Sequence, residues 1–297
     1  MRYYFTQISE RTKMNKKKII QFFGFALLRT CIILVIMILI IIFYDIISKG
    51  WKTINWEFLT AMPRKGMTEG GIFPAIVGTV LVTIITAIFS VPLGMGCAIY
   101  LNEYARDNKL TRLIRMSIRN LSGVPSIVYG LFGVVLFVQL MHLGTCVLAA
   151  GLTLGLMTLP WTITASEEAL KSIPNSYRSG SLALGATKWQ AIRTNVLPYA
   201  IPGMLTGTIL GLARAAGETA PILFTGAAFY IPFLPKSLFS QFMALPYHLY
   251  IMATQHHSIT KVRPIAYGTA LVLIGLVFAM NFFAIVLRYH LRKTKRE

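Results

Sequence analysis

The chain has 297 residues, 55% hydrophobic and only 13% charged, with 29 Lys and Arg against 10 Asp and Glu. Soluble domains carry charge on about a quarter of their residues, so this composition excludes a soluble globule. The formal net charge of +19 does not mark a nucleic-acid binder, because the basic residues flank apolar runs instead of lining one soluble face.

Six apolar runs are long enough for helices that cross a bilayer core of about 30 Å. In chain order they are Thr30–Ser48, Phe73–Leu101, Leu121–Leu140, Thr145–Ala165, Ile201–Thr225 and Pro264–Leu287. The first is too long for a signal-peptide core and reads as an anchor. The second is long enough to tilt or to include an interfacial turn. Gly123 and Pro125 predict a bent entrance to the third. Basic residues cluster in the N-terminal tail (Arg2 to Lys18), after span two (Arg106 to Arg119), after span four (Lys171 to Arg193) and in the C-terminal tail (Arg288 to Arg296). With six spans these four segments share one side. The positive-inside rule makes that side cytoplasmic, with both termini on it. The organisation expected is a basic tail over 1–29, one transmembrane domain over 30–287 and a basic tail over 288–297.

The segment between spans four and five, 166–200, predicts two short helices joined at Gly185. Pro174 suits the first turn of the first helix and Gly185 its C-terminal end. Thr187 and Gln190 have capping-box spacing for the second. There Trp189, Ile192 and Val196 form one apolar stripe, and Pro198 ends the helix. Two readings fit the residues alone: a docking element, or a helix lying on lipid headgroups.

Span five carries Arg214 and Glu218, four residues apart and on one helical face. Charges at such a depth are costly, so they face a protein interior or a watery cavity. Gly203, Gly207, Gly211 and Ala215 form a small-residue stripe that admits a neighbouring helix closely. Either Arg214 meets an anion on a translocation path, where its planar fork suits an oxyanion, or the pair is a structural ion bridge.

The loop around Gly185 and Leu197–Pro198 resembles the coupling loop of type I ABC transporter permeases. Its EAA positions read Ser179, Gly180 and Ser181, without the acidic residue, and Asn195 stands at the isoleucine position. The segment GLARAAGETAPILFTGAAF, from Gly211, resembles the fifth span of PstA-type phosphate permeases. LSGVPSIVYGLFG, GGIFPAIVGT and LALGATKWQAIRTNVLP resemble the same family's third span, second span and coupling loop. The resemblance covers most of residues 70–230. It implies an all-α integral membrane subunit with the six-helix type I permease (MetI-like) fold. It implies a permease for inorganic phosphate in the bacterial inner membrane, paired with a PstC-like subunit. A PstB-like ATPase dimer would drive it and a PstS-like phosphate-binding protein would deliver substrate. Arg214, Glu218 and Thr219 would line the substrate path. Gly185, Ala186, Thr187, Trp189, Ile192, Leu197 and Pro198 would form the ATPase-coupling surface. Rival readings are a permease for sulfate or molybdate, and a phosphate sensor that does not transport.

No Walker A, HExxH or GxSxG pattern occurs, so the chain itself is expected to catalyse nothing and to need no cofactor. Cys31, Cys97 and Cys146 are widely spaced and read as small hydrophobes. Gln255, His256 and His257 lack the further ligands a metal site needs and read as a solvated external loop. Thr79, Thr83, Ser126 and Tyr129 are polar positions within spans, suited to substrate contact or to helix–helix hydrogen bonds.

Overall fold

The computed structural model describes the backbone from residue 2 to 293, and the side chains of residues 21–286, Arg288 and Tyr289. The basic side chains expected in the terminal tails at 2–18 and 292–296 lie outside the described residues. Two compact units are present, Met1–Lys49 and Gly50–Glu297. The first is the helix α1, Arg2–Gly50. Its stretch from Gln21 is long and apolar enough to cross a membrane.

The second unit begins with the short helix α2, Trp56–Thr60, and a two-stranded ribbon, β1 Pro63–Arg64 paired antiparallel with β2 Glu69–Gly70. Helix α3, Phe73–Ile99, ends in a widened π turn, Tyr100–Tyr104. Then come α4, Lys109–Leu121, and α5, Ser126–Gly133, which continues as a π turn to Leu140. Helix α6, Val147–Lys171, precedes the two loop helices α7, Asn175–Ala183, and α8, Lys188–Ala191. A π turn, Ile192–Val196, leads into α9, Leu197–Gly217. The chain finishes with α10 Ala220–Thr225, α11 Leu245–Thr254 and α12 Ile259–Lys293.

Five helices are long and apolar enough to cross a membrane, and the bent pair α4 and α5 makes a sixth candidate. Two expected spans differ in detail. The third does not start at Leu121. Helix α4 ends there, and α5 leaves at 103° to it. Pro125 is the cause, because a proline ring clashes with the carbonyl four residues back, here that of Leu121. The fifth does not run unbroken to Thr225. Pro221 acts in the same way on Gly217, where α9 stops.

The core is built on α3 and α6, which approach closely. An added Cβ at Gly151 would meet Ile85 at 2.5 Å, and one at Gly94 would meet Thr162 at 2.6 Å. Thr79, Thr83 and Thr86 donate to the carbonyls four residues back at 2.7, 2.7 and 2.8 Å, which satisfies their hydroxyls inside an apolar helix. Thr79 Oγ1 also accepts from Leu245 N at 2.8 Å. Thr79 and Thr83 are therefore buried structural groups.

The region after α10, expected as an external loop, folds back into the body. Phe242, Met243, Leu245, Ile251 and Met252 are all buried in the main hydrophobic cluster. His256 corrects the expected solvated cluster: it is 3% exposed, with Nε2 2.8 Å from Gly66 O and Nδ1 accepting from Ser258 N at 3.1 Å. No group of metal-ligating residues occurs among the described residues.

Candidate functional site

The site grows from the packing of α9 on α6. The small-residue stripe lies against α6 one turn at a time. A Cβ at Gly203 would meet Ala169 at 3.0 Å, one at Gly207 would meet Ala165 at 2.2 Å, and one at Gly211 would meet Trp161 at 2.9 Å. Trp161 Nε1 donates to Gly207 O at 3.1 Å. This close antiparallel contact holds the last turn of α9 in place, and Arg214 lies in that turn. The C-terminal end of a helix favours a cation.

Arg214 Nε donates to Glu218 Oε1 at 3.2 Å. The arginine side chain is 64% exposed and the carboxylate 18%. Glu218 stands just beyond the helix with extended backbone, its N–H donating to Ala215 O at 3.2 Å. The two residues thus meet across a helix end, and not on the face of a continuous helix as their spacing suggested. Thr219 follows at the cap of α10. Among the described residues the two Nη groups of Arg214 have no hydrogen-bond partner, so its donor fork stays open.

Arg214 borders a cavity of about 30 Å³ shared with Ser122, Ser126, Tyr129, Thr158 and Trp161. Tyr129 donates to Leu121 O at 2.9 Å and so braces the bend that carries both serines. Thr158 donates to Gly155 O at 3.0 Å, which leaves its oxygen to accept. The cavity joins α9 to the α4–α5 corner and to α6. Ser126 and Tyr129 were legible as polar span residues. Ser122, Thr158 and Trp161 were not, because only the packing of α6 brings them beside Arg214.

The second group of expected residues lies at the far end of α9. Gly185 has φ +83°, a left-handed conformation that closes α7. Its N–H bonds Leu182 O at 3.0 Å and that of Ala186 bonds Ser181 O at 3.1 Å. Thr187 and Gln190 form the expected capping box. The apolar stripe, however, divides. Ile192 and Val196 are 1% and 0% exposed, while Trp189 is half exposed. A π turn follows at Ile192–Val196 and adds a residue to one turn. The same turn accommodates Pro198, so the helix continues through it instead of ending there. Leu197 packs against the cluster that includes Val196, Ala200 and Met204. Tyr177, Leu182, Leu184 and Trp189 stay exposed, Leu184 by 91%.

Two ion clusters, each centred on a buried glutamate, back this loop. Arg178 of α7 donates to Glu103 from Nε and Nη2, at 2.6 Å for the shortest contact, and to the carbonyls of Ile173 and Leu170 at 2.9 and 3.0 Å. Arg115 of α4 lies 2.8 Å from Glu167 of α6, and Lys171 lies 3.0 Å from the same oxygen. Only ten acidic residues occur in the whole chain, and two of them are buried here. That scarcity was a usable signal that the sequence reading missed.

A family model described as the binding-protein-dependent transport system inner membrane component matches residues 90–297. The chain is 33% identical over 265 residues to "Probable ABC transporter permease protein YqgI" of Bacillus subtilis (strain 168), covering 86% of this chain and 90% of that protein. It is 31% identical over 274 residues to phosphate transport system permease protein PstA 1 of Mycobacterium tuberculosis (strain H37Rv), covering 90% and 87%. Among solved structures it is similar in fold to an inward-facing chain of the MetNI methionine ABC transporter. The TM-score is 0.60 at 19% identity, with 73% of this chain and 94% of that one covered.

Proposed function

The chain belongs to the family of binding-protein-dependent transport system inner membrane components, and on that premise we propose that it is a permease subunit of an ATP-driven importer of inorganic phosphate. Phosphate follows from relatives named as PstA permeases that align over most of the chain at 31–34% identity. The chain is an ABC permease of the MetI-like fold and not itself an ATPase. It works in the membrane with a second permease subunit, an ATPase and a binding protein. The finer assignment is to a PstC-like partner permease, a PstB-like ATPase dimer and a PstS-like binding protein. Both termini face the cytoplasm, an orientation supported by the basic segments that share one side under the six-span count.

The observation that carries the substrate reading is the open fork of Arg214 over a polar cavity at a helix end. A planar guanidinium can donate two parallel bonds to one oxyanion. Its contact with Glu218 uses only Nε. An entering phosphate takes the two Nη groups, with Ser122, Ser126 and Thr158 close by to donate or accept. Glu218 competes for the same guanidinium, which keeps the anion from being held too tightly to leave. Thr219, at the break, adds a hydroxyl on the same path. Gly185, Ala186 and Thr187 shape the coupling loop, Trp189 meets the ATPase, and Ile192, Leu197 and Pro198 hold the loop to the body.

The test is ATP-driven uptake of labelled phosphate by the reconstituted complex, competed with sulfate and molybdate. Uptake suppressed by unlabelled phosphate alone supports the reading. Uptake of sulfate or molybdate instead keeps the permease and overturns the substrate. An assembled complex that moves none of the three overturns transport in favour of sensing.

A further inference from the structure

The hydroxyls beside Arg214 differ in where their protons go. Thr158 and Tyr129 both line its cavity and are buried, 4% and 8% exposed. Thr158 donates to Gly155 O at 3.0 Å and Tyr129 to Leu121 O at 2.9 Å. A backbone carbonyl has no proton to return, so in each pair the hydroxyl is the donor. Each hydroxyl has one proton, and it is spent. What Thr158 and Tyr129 still offer is lone pairs. The indole N–H of Trp161 is spent too, on Gly207 O at 3.1 Å. Ser122 differs. Its contact with Ile118 O is long, 3.4 Å, and the residue is exposed, so it can turn its proton to a ligand. The cavity therefore joins mobile or open donors, Ser122 and Arg214, to two fixed acceptors.

We propose, on the reading of Arg214 as the ligand of the transported anion, that Thr158 and Tyr129 select an oxyanion that carries a proton. Near neutral pH phosphate and arsenate each keep at least one hydrogen on oxygen, whereas sulfate and molybdate keep none. A protonated anion gives its O–H to a lone pair of Thr158 or Tyr129 while its bare oxygens take the Arg214 fork. An unprotonated one sets oxygen against oxygen with no hydrogen between them. Neither hydroxyl can turn to meet it without giving up its carbonyl, and an unmatched buried polar group is costly. A site built to bond a substrate's O–H rejects an analogue that lacks it far more strongly than an apolar pocket can. Thr158 is the principal acceptor. It lies one turn before Trp161, which packs on Gly211 in the turn before Arg214.

The test reads anion protection in the assembled permease–ATPase complex without the binding protein, so that only the membrane site chooses. Ser122→Cys supplies a thiol at the cavity for a neutral methanethiosulfonate reagent. Exposed Cys31 and partly buried Cys97 are replaced by Ala, and buried Cys146 is left in place. The labelling rate is measured against phosphate, arsenate, sulfate and molybdate at constant ionic strength. Phosphate and arsenate should protect at concentrations at least about tenfold below those of sulfate and molybdate. Thr158→Val removes the acceptor and keeps the shape, so the four anions should then fall within about threefold of one another. Thr158→Ser should restore the preference, and Tyr129→Phe should lessen it. A merely structural role would shift all four anions together. If Thr158→Val does not assemble, the order of the anions at the unaltered Thr158 and the effect of Tyr129→Phe still decide. Equal protection by all four anions with Thr158 in place overturns the selection and leaves Arg214 as a general anion ligand. A preference for phosphate and arsenate that survives both Thr158→Val and Tyr129→Phe overturns the assignment to these hydroxyls. Protection by sulfate or molybdate alone overturns the selection and the phosphate reading together. A thiol that labels at the same rate with every anion present overturns the anion site itself.

Discussion

Glu103 at the end of α3 and Arg178 in α7 form a buried ion pair, with side chains 4% and 20% exposed and a shortest contact of 2.6 Å. The pair joins the loop that would meet the ATPase to a helix that crosses the membrane. Arg178 also donates to the carbonyl of Leu170 in the last turn of α6 and to that of Ile173 just beyond it. One guanidinium therefore ties three elements.

Removing the arginine should be the more damaging change. Arg178→Ala leaves a buried carboxylate with Asn102 as its remaining side-chain donor and takes a donor from two carbonyls, and breaking such a pair costs about 3–5 kcal/mol. Glu103→Gln keeps an acceptor for Arg178 and should cost less. The charge swap E103R/R178E should not rescue, because a glutamate at 178 would face the two carbonyls. Thermal unfolding of the purified complex, read beside ATPase activity per phosphate moved, checks this order. A rescued swap would show that only the charge product matters.

Two of the departures from the family's coupling-loop pattern, Ser181 and Asn195, touch each other. Asn195 Nδ2 donates to Ser181 Oγ at 2.5 Å, and Ser181 donates onward to Tyr177 O at 2.8 Å. Each polar residue answers the other across α7 and the π turn. Ser181→Ala or Asn195→Ile alone should destabilise the loop by about 1–3 kcal/mol, the cost of an unpaired buried polar group. The double variant should lose less than the sum. A double-mutant cycle on unfolding midpoints measures the coupling, and strict additivity would count against it.

His248 gives the stability of the α11 region a pH dependence. It is 2% exposed, neither ring nitrogen has a hydrogen-bond partner among the described residues, and burial with nearby His256 pushes its pKa down to about 4. Unfolded, the ring titrates near 6.5. Between these values the unfolded chain binds the extra proton, so stability rises with pH through this window. It is complete above about 6.5 and falls by roughly 3 kcal/mol as pH drops to about 4, at about 1.36 kcal/mol per unit. His248→Phe should flatten this slope in thermal unfolding scans. An unchanged slope would place the titration elsewhere.

Hydropathy located the membrane-crossing helices, because about 20 apolar residues in a row leave few alternatives. It did not locate the breaks. Pro125 and Pro221 end helices at Leu121 and Gly217, while Pro92, Pro160 and Pro202 sit inside unbroken ones. A proline shows where a helix can break, but the surrounding packing decides whether it does. The loop between α6 and α9 was legible because caps are local: Gly185, Thr187 and Gln190 act within a turn. The burial of Ile192 was not, because it depends on packing against the rest of the body, which the local pattern does not carry. Arg214 was visible as a charge in an apolar run, whereas its neighbours Thr158 and Trp161 come from another helix.

Arg214 separates the two readings that its spacing from Glu218 left open. As a structural bridge it would have to contribute stability, yet it makes one 3.2 Å contact from a largely exposed side chain. Pairs of that kind are worth about 0–1 kcal/mol. The prediction is that Arg214→Ala assembles normally and unfolds within a degree or two of the parent. Phosphate uptake should fall by at least tenfold. Arg214→Lys keeps the charge and loses the fork, so uptake should stay low if two parallel bonds hold the anion. Glu218→Gln frees the guanidinium from its competitor. It should tighten half-saturation for phosphate while slowing maximal uptake, since release then becomes harder. Uptake kinetics and complex yield for the three variants are the measurement. A poorly assembled Arg214→Ala would return the pair to the role of a bridge, and a fully active Arg214→Lys would reduce the arginine to a point charge.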